Sequence, residues 1–197
     1  MISLQNDYSE GAHPRILTLL TQTNLEQSAG YGEDAYCLQA AAYIKQHLQA
    51  PQAAIHFVSG GTQSNTVIIK SILRPHEAVI AAQSGHIATH ETGAIEATGH
   101  KVIAMPVGNN GELTPANIVA AVTMHTDEHI VKPRMVYISQ TTEIGSVYSV
   151  AELRALRACC DELGLYLHID GARLGAALAA NSALSLAIIA EVADVFY

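Results

Sequence analysis

Short apolar runs alternate with amphipathic stretches along most of the chain. The runs at 53–58, 78–81, 101–105, 135–139, 165–169 and from 195 onward are bounded by turn-forming residues and predict strands. The stretches between them carry apolar residues at helical spacing and predict helices over 14–23, 34–49, 62–73, 87–98, 115–126, 150–163 and 173–180, with a short one near 185–190. Several boundaries have local causes. Thr114 before Pro115 is an N-cap followed by a proline at the first helical position. Gly164 after Leu163 suits a left-handed C-cap. Asn109-Asn110-Gly111 is a turn. Strands alternating with helices predict an α/β fold, a mainly parallel sheet wrapped by helices.

Composition narrows this picture. The 197 residues allow one sizeable domain with a real core, and with 49% hydrophobic and 14% charged residues the chain is globular rather than disordered. A formal charge of −8 argues against a nucleic-acid surface. No apolar run reaches membrane length, and residues 1–9 lack the basic and apolar regions of a signal peptide. Cys37, Cys159 and Cys160 have no metal-binding spacing, which fits a reducing, cytoplasmic setting.

Candidate chemistry gathers where predicted strands end. The run 165–169 leads into Asp170-Gly171-Ala172-Arg173, an acid and a base at the carboxyl end of a buried strand, where open α/β sheets bind ligands. A carboxylate there can hold a proton on a ring nitrogen, and an arginine can grip a substrate carboxylate with two parallel bonds. Both needs arise in enzymes that handle amino acids on pyridoxal 5'-phosphate (PLP). The plainer reading is an Asp N-cap and a surface arginine. His168 and Asp170 lie two apart and share a strand face, so His168 can orient Asp170.

Ser59-Gly60-Gly61-Thr62-Gln63-Ser64-Asn65 joins a predicted strand to a predicted helix. Its glycines and free helical N–H groups can cradle a phosphate, although an ordinary glycine-rich turn reads the same way. It matches neither a P-loop nor a dinucleotide fingerprint. His86, after Ser84-Gly85, can lay its ring against a planar cofactor; alternatively it is one loop histidine among 10 histidines. His86 and His90 have the spacing of two metal ligands on one helix face, but no third ligand is evident and no metal is expected. Glu143, in Thr141-Thr142-Glu143-Ile144-Gly145, is an acid or base if partly buried, and otherwise a solvated loop residue.

Taken in order, Leu4-Gln5-Asn6-Asp7-Tyr8, Tyr31-Gly32-Glu33-Asp34, Gly61-Thr62-Gln63-Ser64-Asn65, His86, Glu91, Gly145 and His168-Ile169-Asp170-Gly171-Ala172-Arg173 resemble the low-specificity threonine aldolases and related β-eliminating lyases. These are PLP enzymes of the aspartate-aminotransferase fold. The resemblance covers essentially the whole chain. It implies cleavage of the Cα–Cβ bond of a threonine-type β-hydroxy-α-amino acid to glycine and an aldehyde. It further implies that Gly61, Thr62 and Gln63 bind the PLP phosphate, that His86 stacks on the pyridine ring, that Asp170 pairs with the ring nitrogen and that Arg173 binds the substrate carboxylate. A homodimer or homotetramer is expected on the same ground.

Two positions depart from the family pattern. Asn6 stands where a substrate-binding serine is usual, and Glu143 stands where a histidine contacts the substrate hydroxyl, which puts the preference for threonine in doubt. β-Elimination and a non-catalytic phosphate-binding role stay open, as does a zinc hydrolase built on His86 and His90. The base could be Glu143, His86 or a water. Lys45, Lys70, Lys101 and Lys132 all precede Asp170. The Schiff-base lysine and small C-terminal domain implied by the resemblance are therefore expected beyond Tyr197, with the large domain incomplete at its C-terminus and these 197 residues inactive alone.

Overall fold

The structure, a computed structural model, describes Asn6 and residues 8–197. Contacts divide the chain into two compact units, 1–40 and 41–197. In the first, helix α1 (Pro14–Thr23) starts with Pro14 behind His13, whose Nδ1 accepts from the Arg15 N–H at 3.2 Å. None of its residues is buried, and Ile16, Leu17, Leu19 and Leu20 are exposed. Helix α2 (Ala35–Leu48) begins in this unit, where Asp34 Oδ1 accepts the Cys37 N–H at 2.9 Å, and ends in the second.

The second unit is built on a parallel five-stranded sheet in the order β2-β1-β3-β4-β5. Its strands are β1 (Glu77–Ala82), β2 (Val102–Met105), β3 (Lys132–Ser139), β4 (Tyr166–Asp170) and β5 (Val195–Phe196). The helices are α3 (Gly61–Ile72), α4 (His86–Thr89), α5 (Pro115–Thr123), α6 (Val150–Leu163), α7 (Leu174–Ala180) and α8 (Leu186–Val192). Every residue of β1 is buried, as befits a strand with neighbours on both sides and cover on both faces.

Side-chain alternation sorts the core into two layers. Ala78, Ile80, Val136, Ile138, Leu167 and Ile169 point into the larger layer, with Ile118 of α5, Leu153 and Leu156 of α6 and Ile189 of α8. Val79, Ala81, Met135 and Tyr137 point the other way, against Ile69 of α3 and Ile87 of α4. The sequence-predicted caps hold: Thr114 caps α5 in a reciprocal capping box with Asn117, and Gly164 ends α6 in the left-handed region; a second capping box, Ser149 with Glu152, starts α6. The two-residue strand β5 is seated by Asp194. Its Oδ2 accepts the Leu167 N–H at 2.7 Å and an Arg157 Nη1–H at 2.6 Å.

Two expectations are corrected. Residues 53–58 form no strand, and Phe57 and Val58 are half exposed. An apolar run becomes a strand only when another strand takes its backbone groups, and no described residue does so here. The helix expected over 87–98 also breaks. α4 stops at Thr89, Thr92 and Gly93 take φ of 51° and 78°, and only a 3₁₀ turn, Glu96–Thr98, follows. That break turns Glu91 inward.

Leu153→Ala, at a fully buried position, is expected to lower unfolding free energy by about 2–5 kcal/mol. Arg154→Ala, on the same helix in an exposed ion pair with Glu191, is expected to cost under about 1 kcal/mol. Urea titrations of both variants check the contrast; equal losses would mean that α6 does not anchor the larger core layer.

Candidate active site

The register of the sheet assembles the site. β3 and β4 pair with Tyr137 opposite His168 and Ser139 opposite Asp170, so these polar side chains form a block on the α3 face. The block lies at the carboxyl end of the sheet, where strand order reverses between β1 and β3, the general position of ligand crevices in such folds.

Asp170 is the centre of the block and is buried. Its Oδ2 accepts the Tyr137 hydroxyl at 2.5 Å and Asn65 Nδ2–H at 3.1 Å, and its Oδ1 accepts the Ala172 N–H at 3.0 Å. Burial alone would raise its pKa. The hydrogen bond from Tyr137, with those from Ala172, Tyr197 and Asn65, outweighs burial and holds the carboxyl below its ordinary range. Asp170 is therefore an ionised, buried acceptor. Burial, with the adjacent Asp170 charge, pushes the Tyr137 phenol far up, so it remains a donor.

Asn65, on α3, joins three acids and bases. Its Nδ2 donates to Asp170 and to Glu91 Oε1 at 2.7 Å, and its Oδ1 faces His168 Nε2 at 2.9 Å. Flipping the amide would set an oxygen against two carboxylates, so Nδ2 is fixed as the donor and His168 must donate through Nε2–H. His168 is fully buried, and desolvation lowers its pKa to about 4, so its ring is neutral near pH 7.

His86 opens α4 with its side chain 42% exposed. Its N–H donates to Glu143 Oε1 at 2.8 Å, and its Nδ1 lies 2.9 Å from Glu91 Oε1. Ser139 Oγ donates to the same Glu143 oxygen at 2.6 Å and lies 3.2 Å from the Tyr137 hydroxyl. Glu143 is thus half-buried and hydrogen-bonded rather than a solvated loop residue. The path Asp170–Asn65–Glu91–His86–Glu143–Ser139–Tyr137–Asp170 closes on itself.

Gly61, Thr62 and Gln63 form the first turn of α3, ahead of the first helical bond from the Ser64 N–H to Gly60 C=O at 2.9 Å. Gln63 folds back so that its Oε1 accepts from the Ser59 N–H and hydroxyl. A Cβ on Gly61 would lie 2.8 Å from the Tyr197 hydroxyl, and one on Gly171 would lie 1.9 Å from the Tyr197 carbonyl oxygen. Glycine at 61 leaves room for the Tyr197 hydroxyl, and glycine at 171 for the Tyr197 backbone. Arg173 is the exposed N-cap residue of α7, three positions past Asp170. Asn6 lies in the first unit, where its Oδ1 accepts the Tyr8 N–H at 3.2 Å; Leu4, Gln5 and Asp7 lie outside the described residues. The His86 and His90 rings are 5.7 Å apart, and among the described residues no three His, Cys, Asp or Glu side chains converge on a metal position.

The sequence reading singled out Asp170, His86 and the Gly61 turn but missed Tyr137, Ser139 and the part played by Asn65. Period-two spacing carried a signal for the first two, since 137, 139, 168 and 170 alternate with apolar residues. The signal for Asn65 was an amide beside Ser64 at the start of an inward stripe that continues through Ile69.

Comparisons with known proteins place the chain in a family. A family model described as beta-eliminating lyase matches residues 14–197. The low-specificity L-threonine aldolase of Pseudomonas sp. (strain NCIMB 10558) is 35% identical over 176 residues, covering 88% of this chain and 50% of that protein. The corresponding protein of Saccharomyces cerevisiae is 29% identical over 199 residues, covering 98% of this chain and 50% of that one. The solved structure of a Leishmania major threonine aldolase superposes with a TM-score of 0.95 at 52% identity, covering 98% of this chain and 56% of that one. An archaeal alanine:glyoxylate aminotransferase, 18% identical with a TM-score of 0.59, covering 79% of this chain and 39% of that one, shares the fold. The chain spans about half the length of the curated relatives it matches.

The depressed pKa of His168 makes stability depend on pH. The unfolded chain binds a proton at this residue below about 6.5 and the folded chain only below about 4, so stability is highest above pH 6.5 and falls as pH drops towards 4. The loss from this residue is on the order of 3 kcal/mol. His168→Gln keeps a donor towards Asn65 Oδ1 and should flatten that slope. Urea midpoints from pH 7.5 to 4 for both proteins measure it; parallel slopes would rule out the neutral buried ring.

Proposed function

The chain belongs to the beta-eliminating lyase family, and from that premise we propose that it forms the cofactor-binding part of a PLP-dependent lyase that cleaves the Cα–Cβ bond of threonine-type β-hydroxy-α-amino acids. The observation that carries this reading is the buried, ionised Asp170 at the carboxyl end of β4, held by Tyr137, Asn65 and the Ala172 N–H beside the Gly61 turn. The residues present fit the cofactor. An ionised carboxylate in a water-poor site suits a pyridinium nitrogen, and the first turn of α3, whose N–H groups at 61–63 precede the first helical bond, suits a phosphate.

In this reading Gly61, Thr62 and Gln63 would offer N–H groups to the phosphate, the His86 ring would face the pyridine ring, and Asp170 would hold a proton on the ring nitrogen. Bound there, PLP supplies a sink for the electron pair released when the Cα–Cβ bond breaks. Arg173 grips the substrate carboxylate as a planar fork and so sets which Cα bond faces that sink. Glu143 and His86 are the groups of this crevice that can take the β-hydroxyl proton. As that proton leaves, the oxygen forms the aldehyde carbonyl, the Cα–Cβ pair passes to the Cα side, and Cα regains a proton to give glycine. A homodimer or homotetramer is part of the proposal, supported by the exposed apolar residues of α1. A cytoplasmic setting is supported by the unpaired Cys37, Cys159 and Cys160.

The first test is binding. The chain should bind PLP saturably, and inorganic phosphate should compete; no saturable binding at millimolar PLP would sink the reading. The second test is Asp170→Asn, which keeps the shape but removes the charge. In an active preparation it should lower release of acetaldehyde from L-threonine about a hundredfold or more. Its cost to folding, one mispaired donor, should be about 1–3 kcal/mol. Near-normal turnover would remove Asp170 from the role assigned to it.

A further inference from the structure

We propose that Glu91 is a positioning residue that sets the tautomer and tilt of the His86 ring and ties that ring, through Asn65, to Asp170. The proposal rests on the reading of His86 as the ring that faces the cofactor. Glu91 is among the residues that carry the resemblance but has no role assigned by it; it follows a four-residue helix and precedes the left-handed pair Thr92 and Gly93. That turn drives its side chain inward to 1% exposure, whereas His86 stays 42% exposed. One carboxylate oxygen serves both neighbours: Oε1 is 2.7 Å from Asn65 Nδ2 and 2.9 Å from His86 Nδ1.

The tautomer follows from acceptor counting. An ionised carboxylate only accepts. Asn65 directs its amide donors at Glu91 and Asp170, so Glu91 Oε1 is already an acceptor where His86 meets it. His86 must therefore present Nδ1–H to Glu91, which leaves Nε2 as the bare ring nitrogen. A free imidazole prefers the opposite tautomer. Glu91 thus holds the ring in the less common form and, by gripping one edge, limits its rotation. This is the part that carboxylates play behind metal-bound histidines, transferred to an organic site.

A second observation argues against a merely structural role. Glu91 Oε2 is buried and has no hydrogen-bond partner. A carboxylate retained for packing alone would be outdone by an apolar side chain of the same volume, because an unpartnered buried oxygen is destabilising. The acid is kept for what Oε1 does.

The experiment uses the 197-residue chain with ¹⁵N-labelled histidine and no cofactor, at a pH above the imidazole range. Long-range ¹H–¹⁵N spectra should show His86 protonated at Nδ1 and bare at Nε2. Glu91→Gln, which preserves volume, should give a mixture of tautomers, and Glu91→Ala should return the ring to the Nε2–H form. The Asn65 amide resonances should shift with it. Thermal melting of each variant reports whether the fold survives; if the alanine variant does not fold, the glutamine variant decides. PLP affinity should fall about tenfold in Glu91→Ala and less in Glu91→Gln. An Nε2–H ring in the parent protein, or a tautomer indifferent to Glu91→Gln, overturns the proposal. A tautomer that moves as expected in a chain that binds no PLP supports the positioning role and refutes the cofactor reading instead.

Discussion

Keeping a carboxylate ionised inside the α3 layer of the sheet is the constraint from which the site's architecture follows. Asp170 is buried at the end of a central strand, where an unpaired charge would neutralise itself by taking up a proton. It stays charged because donors, Tyr197 among them, converge on it from separate parts of the fold. Tyr137 comes from β3, Asn65 from α3, and the Ala172 N–H from the turn after β4. Each donor must itself be held. Tyr137 is placed by the β3–β4 register, Asn65 by its contacts with Glu91 and His168, and the turn by a glycine at 171 that lets the Tyr197 backbone pass close by.

The two faces of the sheet consequently do different work. The layer against α5, α6 and α8 is apolar and continuous from Ala78 to Val192. The layer against α3 has a smaller apolar cluster, and towards the carboxyl end of the strands it gives way to Tyr137, Ser139, His168 and Asp170. Polar groups packed there contribute little net stability even when fully hydrogen-bonded. The fold tolerates them because the opposite layer supplies the burial. Changes in the first layer are therefore expected to act on stability, and changes in the second on charge and geometry.

Much of this arrangement was legible in the chain and some was not, for identifiable reasons. Helices 14–23 and 150–163 were read to the residue because proline, serine and glycine punctuate them. The strand ending at Asp170 was clear because an apolar run stops at an acid. The segment 53–58 misled because periodicity reports a tendency to be buried, whereas a strand also needs a neighbour. The helix expected over 87–98 misled for a related reason. Its spacing is helical, but Glu91 is drawn to Asn65, 26 positions away and outside any local window, as well as to His86. The same reasoning explains why Glu143 read as a loop acid. What half-buries it is the His86 N–H, 57 positions away.

The closed hydrogen-bonded ring makes the site a coupled unit rather than a set of separate residues. Glu91 and Asp170 share one amide, and Glu143 and Glu91 share one histidine, through its N–H and its ring respectively. The direction of donation at Asn65 is fixed by the two acids beside it, and that choice fixes His168 Nε2 as a donor and His86 Nδ1 as another. A change at one member therefore alters the proton inventory of the others without moving the backbone. In such a network the effects of paired substitutions should not add, because the first removes a partner that the second depends on. The strongest departure belongs to Asn65 and Asp170, which are in direct contact.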